Sequence, residues 1–328
     1  MRVGIPRGLF YYYYYPLWKT FFRDLGAEVV TSAATNRLTI NLGSEYSVDE
    51  ACLPVKVYYG HVRELCVSGL DYLFVPRLVS VEPRSYICPK FMGIPDMIRA
   101  QVPNLPELID ITIDVSRDDK FLKRDIIKVG KMLGGNQRSI QKAYEHALNE
   151  NWRCYEIARQ GWTMGEAISL WEGGAPEKGA PGELEIAVLG HGYSLYDEGL
   201  SMGIIQKLRR MGCRVHLLEC LDPAVVEREA ATLPKRVFWT LGRKIMGGVI
   251  HLDKRPEIDG IIYLACFGCG PDSLIGEMAE RHAEAKPFML LTIDEHSGEA
   301  GLLTRLEAFC DMLKRRRQAG ESKLPAYG

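Results

Sequence analysis

Cys266 and Cys269 stand three positions apart in the segment DGIIYLACFGCGPDS, residues 259–273. Two thiols at that spacing can grip one metal centre or form a redox pair, and Gly268 and Gly270 let the backbone fold close around it. The apolar run 260–265 before them reads as a strand buried on both faces of a parallel sheet. Such a strand delivers its loop to the carboxyl edge, where open α/β sheets bind their ligands. Pro271 then suits the first turn of a helix running on from Asp272. A structural turn carrying two small buried cysteines explains the same residues, so the motif alone leaves metal, redox and packing roles open.

The chain of 328 residues holds nine cysteines, at 52, 66, 88, 154, 213, 220, 266, 269 and 310. Five of them read as packing residues, because free cysteine behaves as a small hydrophobe. Cys66, Cys154 and Cys310 fall in helical patterns, and Cys213 and Cys220 flank a strand over 214–218. Cys52 differs, since Ser47-Val48-Asp49-Glu50 reads as a capping box that starts a helix just before Cys52-Leu53-Pro54. A thiol there feels the dipole and free amides of a helix N-terminus, which favour a thiolate or an anionic cluster. Cys88-Pro89 lies in SVEPRSYICPKFMG (80–93), a loop with no periodic pattern to explain the thiol by packing.

Hydrophobic residues make up 47% and charged residues 25%, as in an ordinary globular protein. A net charge of -1 argues against nucleic acid or an anionic membrane as the main partner. No signal peptide precedes the strand that opens at Arg2, and no apolar run approaches the length of a membrane span. A cytoplasmic location is therefore expected, and there structural disulfides are rare, which directs loop cysteines toward metal or redox chemistry.

The elements that must position these thiols follow from periodicity. A strand over 2–6 leads into an aromatic helix over 9–25 ending at Gly26, then a strand over 27–32. Five consecutive tyrosines, 11–15, cannot all face one core, so some cover a domain or subunit interface, which admits a dimer. A polar loop over 33–46, a helix over 55–68, a strand over 72–79 and a strand over 108–115 complete the first half. Helices over 118–133, 136–160 and 163–171 follow, then the linker GGAPEKGAPG, 173–182. The second half restarts with strands over 185–189, 214–218, 258–265 and 287–293, joined by helices, the first running from the turn at Gly192 to Met211, and a basic-ended helix closes it at Lys314–Arg317.

The two halves align as strand, helix, strand, helix, strand, cysteine loop, helix, strand. Two flavodoxin- or Rossmann-like doubly wound parallel-sheet domains are the expected fold, 1–117 with Cys52 and Cys88 and 183–328 with Cys266 and Cys269. Residues 118–182 are the helical segment and linker between them. Facing carboxyl edges would bring Cys52, Cys88, Cys266 and Cys269 to one site. Four thiolates suit zinc or an iron–sulfur cluster. Structural zinc usually uses paired CxxC knuckles in a short module, whereas these ligands are dispersed, which fits a cluster pinned between domains.

Four segments carry a family resemblance: EACLPVKVYYGHV (50–62), DYLFVPRLVSVEPRSYICPKFMGIPD (71–96), CFGCGPDS (266–273) and IDEHSGEAGLLTRLEAF (293–309). Over nearly the whole chain they resemble the 2-hydroxyacyl-CoA dehydratase superfamily, in its branch of acyl-CoA dehydratase activase-related proteins, relatives of the double-cubane cluster proteins. The resemblance implies flavodoxin-like domains around a [4Fe–4S] cluster, or a double-cubane cluster, held by cysteines. It also implies an ATP-dependent activator or reductase protein as electron donor, and an acyl-CoA or other small molecule as substrate in anaerobic metabolism. Cys52, Cys88 and Cys269 fall on its cysteine motifs, with Cys266 as an additional candidate ligand. Dehydratase subunits use three cysteines and leave one iron open, so a fourth ligand would favour electron transfer over substrate chemistry. The chain lacks GxxxxGK[ST], so ATP hydrolysis is not expected of it.

Weaker candidates surround these. Gly190-His191-Gly192 after a strand can cradle a phosphate, though a tight turn explains it equally. Glu299 and His296, with Asp294 and Glu295, follow the last strand at the same edge and are candidate proton carriers, or a solvated cap. Arg77 and Lys90 are candidates for neutralising an anionic cluster, and His61 reads as a packed helical residue. Three functions remain open: a component of reductive chemistry, a non-catalytic electron or cluster carrier, and a zinc- or dithiol-based regulator.

Overall fold

Short apolar runs alternating with amphipathic helices dictate parallel strands joined by crossovers, and the chain builds two such sheets. The computed structural model describes residues 1–177 and 182–318. The first half runs β1 (Arg2–Ile5), α1 (Tyr11–Asp24), β2 (Glu28–Thr31), α2 (Arg37–Tyr46) and α3 (Leu53–Cys66). It continues with β3 (Tyr72–Phe74), β4 (Arg77–Ser80), α4 (Pro89–Gln101), β5 (Glu107–Ile109) and β6 (Thr112–Asp114). Three helices follow: α5 (Lys120–Met132), α6 (Gln137–Ala158) and α7 (Met164–Trp171). The second half opens with β7 (Leu184–Gly190), α8 (Gly192–Leu195), α9 (Glu198–Ser201), α10 (Ile204–Arg210) and β8 (Cys213–His216). Then come α11 (Pro223–Ala230), α12 (Thr240–Asp253), β9 (Gly260–Cys266), α13 (Gly270–His282), β10 (Phe288–Ile293) and α14 (Glu299–Gln318).

The first sheet has the order β2-β1-β3-β5 and the second, counted from its β8 edge, β8-β7-β9-β10. Every pairing is parallel, with Gly4 beside Leu73 and Ala187 beside Ile261 in the two central registers. Both sheets therefore wind their strands in the same sequence, as the repeated pattern of the two halves predicts. Helices flank the sheets, and the fold is α/β with two Rossmann- or flavodoxin-like units.

Five local expectations need correction. The strand expected over 72–79 breaks at Val75-Pro76, and the one over 108–115 breaks at Asp110-Ile111; β4 and β6 leave the main sheet and pair with each other. The polar loop expected over 33–46 contains α2, capped by the Asn36 carboxamide, which accepts from the amides of Leu38 and Thr39. The box over 47–50 does not start a helix, because Ser47 ends α2 and Cys52 itself occupies the N-cap of α3. The single helix expected from Gly192 to Met211 is three short ones, interrupted by Met202 and Gly203 in left-handed conformations. Of the expected linker, residues 178–181 lie outside the described residues.

One buried apolar cluster spans both halves, from Val3, Phe21, Phe22 and Leu73 to Ile186, Val188, Ile262 and Leu264. A second cluster lies on the other face of the second sheet, around Ile245, Val249, Tyr263 and Ile275. The tyrosine run sits where the halves meet. Tyr11, Tyr12 and Tyr15 are buried, and the Tyr13 hydroxyl accepts a hydrogen bond from the Gly192 N–H at 2.8 Å. Tyr86 and Trp239 form a parallel bridge across the halves, with Tyr86 N–H on the Phe238 carbonyl at 2.9 Å. Among the described residues, no helix is long and apolar enough to cross a membrane.

Candidate cysteine centre

Three of the four singled-out cysteines occupy the same kind of position. Cys52, Cys88 and Cys269 are the N-cap residues of α3, α4 and α13, and each of those helices has proline in its first two positions. Proline there fixes the first turn and needs no amide donor, and each cysteine stands just outside the helical conformation at the mouth of its helix. Cys88 and Cys269 are moreover equivalent in topology, because α4 and α13 both connect the third strand of a sheet to the fourth.

The fold brings these N-termini together. Cys52 and Cys269 are in hydrogen-bonding contact through their thiols, and Cys88 lies within electrostatic reach of Cys52. Gly268 adopts φ +74° and would place a Cβ only 3.6 Å from the Cys52 Cα, so the CxxC loop turns tightly against the start of α3. Sharing a proton with Cys269 brings the Cys52 thiol down from 9 to about 7; burial opposes this, and Lys90 and the Val55 amide assist it. The same contact, together with burial and the nearby Asp272 carboxylate, pushes Cys269 up. Burial likewise raises Cys88, against the first-turn amides of Lys90 and Phe91.

Cys266 has a different environment. It ends β9, fully enclosed, with its thiol donating to the Ser194 hydroxyl at 3.3 Å and its amide to Asp272 Oδ2 at 3.0 Å. Burial first, then the Asp272 charge, pushes this thiol well up. Its charge would also act on Cys52, which places it at the back of the same centre.

Sequence reasoning missed the acid beneath the thiols. Asp272, in the first turn of α13, is 1% exposed and pairs with His191 Nδ1 at 2.5 Å. It also accepts from the Tyr263 hydroxyl at 2.9 Å. Burial alone would raise Asp272, but His191, the Cys266 amide and Tyr263 outweigh it and keep the carboxyl below its ordinary value. His191 stacks on Tyr193 at 5.0 Å, and one of its ring nitrogens, the Cys269 sulfur and an Asp272 oxygen lie within 4.8 Å of one another. That trio offers nitrogen, sulfur and oxygen donors of the kind zinc accepts. The available signal was the Gly190-His191-Gly192 turn at the end of the central strand, read as a phosphate cradle or a plain turn.

Of the remaining candidates, Lys90 alone among those named below acts on the centre. Lys90 donates to the Glu50 carbonyl at 2.9 Å and acts on both Cys52 and Cys88. Arg77 is engaged by the Met92 carbonyl and by Asp96 at 2.7 Å. Glu299 is exposed and paired with Lys207 at 2.7 Å, and His296 is exposed in the loop where Asp294 caps its amide. Glu295 reaches Lys56 of α3 at 2.6 Å. His61 is fully buried, its Nε2 3.0 Å from the Thr35 hydroxyl. Cys154, Cys213 and Cys310 are buried in the core, the last two with sulfurs 3.7 Å apart; Cys220 faces the Ala158 carbonyl and Cys66 is half-buried in α3.

Among curated proteins none matches this chain. A family model does: the CoA enzyme activase uncharacterised domain (DUF2229), over residues 2–221. The matched stretch contains Cys52, Cys88 and His191 and ends before β9, which carries Cys266 toward Cys269. Because the match spans two thirds of its length, the chain belongs to the CoA enzyme activase domain family.

Proposed function

We propose that the protein holds a [4Fe–4S] cluster on Cys52, Cys88 and Cys269 and serves low-potential electron transfer or reductive chemistry linked to CoA-dependent dehydration. The observation that carries this reading is that three cysteine-capped helix N-termini lie together, Cys52 touching Cys269 and Cys88 within electrostatic reach of Cys52. Three positive helix ends and Lys90 favour an anionic group there, and thiolates are the donors such a cluster requires. The family match and the resemblance to dehydratase and double-cubane proteins point the same way. Cys266 is the fourth candidate ligand, standing behind the centre on Ser194.

When bound, the cluster would supply one-electron chemistry at low potential. The chain's own residues would tune and protect it. Asp272 and His191 form a buried hydrogen-bonded pair under Cys269 at the α13 N-terminus, and Tyr193 and Phe91 line the narrow recess beside them. Exposed Phe267, Phe238 and Tyr86 surround the thiol loops with apolar surface suited to a docking protein. The partner this reading names is an ATP-dependent activator that delivers electrons to a dehydratase system. A second reading, a single zinc ion, is favoured by the His191, Cys269 and Asp272 grouping.

The test mixes the anaerobically purified protein with dithionite and an ATP-hydrolysing, cluster-bearing activator of the dehydratase type. The expected result is bleaching of visible absorption that depends on MgATP and disappears in Cys88→Ser. Absence of any ATP-dependent spectral change in a cluster-loaded protein would contradict the partner assignment. Adding cyanide to the unmodified protein and to Cys266→Ala separates the roles. A shift in the unmodified protein marks an open iron, and a shift only in the variant makes Cys266 the fourth ligand.

A further inference from the structure

The matching strand order gives α3 a counterpart in the second half. α3 leads to the third strand of the first sheet, and α12 leads to the third strand of the second. Where α3 is capped by Cys52, α12 begins at Trp239-Thr240. A cavity of about 390 Å³ opens beside that N-terminus, at the end of β7 where the second sheet changes winding direction. This is the crevice in which doubly wound sheets bind ligands, and the volume lies in the range of about 300–1,000 Å³ typical of small-molecule sites.

The lining specifies what fits. Phe10, Tyr13, Tyr14, Tyr155, Leu221 and Val226 make its walls apolar and largely aromatic. Its cations are already matched: Arg243 pairs with Glu82 at 2.6 Å and Glu227 at 3.1 Å, Lys244 pairs with Glu82, and Arg159 pairs with Glu156 at 2.8 Å. Glu219 receives the Tyr196 hydroxyl. An anionic ligand would have to break one of these ion pairs, and Glu219 keeps its proton up to about pH 7, so the wall offers a cation no standing charge below that pH. Thr240 adds to this wall a fully buried hydroxyl that has no partner, its own N–H being spent on the Tyr86 carbonyl at 3.0 Å. A buried hydroxyl left unpaired costs about 1–3 kcal/mol, which a ligand group would recover. The first intrahelical bond is made by Arg243 to the Trp239 carbonyl, so the amides of Leu241 and Gly242 also lack an acceptor within the helix.

We propose that this cavity binds a small, uncharged, mainly apolar molecule, aromatic or alkyl, with one hydrogen-bonding group directed to Thr240 at the start of α12. Leu241 lines both this cavity and the narrow recess that contains Cys88, His191 and Tyr193. The bound molecule would therefore lie one side chain away from the cysteine centre. The site stands on its own lining and does not require that centre to hold a metal.

The experiment uses N-phenyl-1-naphthylamine, an uncharged probe with one N–H that fluoresces on leaving water, and its 8-sulfonate, the same rings with a negative charge. The full chain is expected to bind one equivalent of the uncharged probe saturably, and the sulfonate at least tenfold more weakly. Leu221→Trp, which fills the cavity, is expected to weaken the probe at least tenfold. Thr240→Val, which keeps the shape, is expected to weaken it threefold or more while the melting temperature stays the same or rises. Equal or tighter binding of the sulfonate, or unsaturable binding, would overturn the proposal. Unchanged affinity in Thr240→Val would do so as well, and that variant remains informative if Leu221→Trp fails to fold.

Discussion

Glu219 shows how burial turns a single carboxyl into a pH-dependent liability. It lies against Tyr196 at the wall of the α12 cavity, where burial lifts it from 4.5 to about 7, although its own amide and Lys244 oppose the rise. The folded protein thus holds this proton more tightly than the unfolded chain, and stability falls as pH rises from about 4.5 to about 7. Above that range the full cost of the buried charge is present. Glu219→Gln keeps an acceptor for Tyr196 and removes the charge. Denaturant titrations should show it more stable than the unmodified protein by about 1–3 kcal/mol at pH 8, with the gain vanishing at pH 4.5. A gain that grows toward acid would contradict the assignment. At this scale, the helix-start setting of Cys52 was legible only through a box over 47–50 that starts no helix, whereas Cys88 stood out by its aperiodic loop and Cys269 by the CxxC spacing. Asp272 and His191 were not, since their pairing at 2.5 Å joins residues 81 positions apart and leaves no local pattern.

Among the elements, α2 and α3 explain why a polar stretch can be a helix. Gly43 and Gly60 lie where the two helices cross, and a Cβ on Gly43 would run into the Lys56 carbonyl while one on Gly60 would run into that of Thr39. The helices therefore meet backbone to backbone, and α2 needs few large apolar residues to be held. That is why its hydrophobic periodicity is faint and the stretch reads as a loop. Gly43→Ala must push α2 away from α3 and from the Cys52 cap. It is expected to cost more than about 2 kcal/mol, against at most about 1 kcal/mol gained from alanine's helix propensity. A melting temperature at or above that of the unmodified protein would show that the crossing tolerates a methyl group. The broken strands β3–β4 and β5–β6 have the same lesson in reverse. Their apolar runs are continuous in sequence, and only Pro76 and Asp110 hint that each run serves two sheets.

For the whole molecule, the repeated strand order was legible because both halves spell the same succession of apolar runs and helices. The way the halves join was not. The tyrosine run required an interface, but only the fold shows Tyr13 on Gly192 and one core extending from Val3 to Leu313. A shared core predicts that neither sheet melts alone, so calorimetry should give one unfolding transition despite the two sheets. Two resolved peaks would mean that the core across the halves contributes little. The central claim is that three helix N-termini hold an iron–sulfur cluster through Cys52, Cys88 and Cys269. Its most direct test is iron, acid-labile sulfide and zinc analysis of protein purified without oxygen, alongside Cys88→Ser, Cys269→Ser, Cys213→Ser and Cys310→Ser. The account predicts a brown protein with iron and sulfide in about equal amounts, lost in the first two variants and kept in the last two. A colourless, folded protein carrying about one zinc per chain, or equal iron in all four variants, would contradict it.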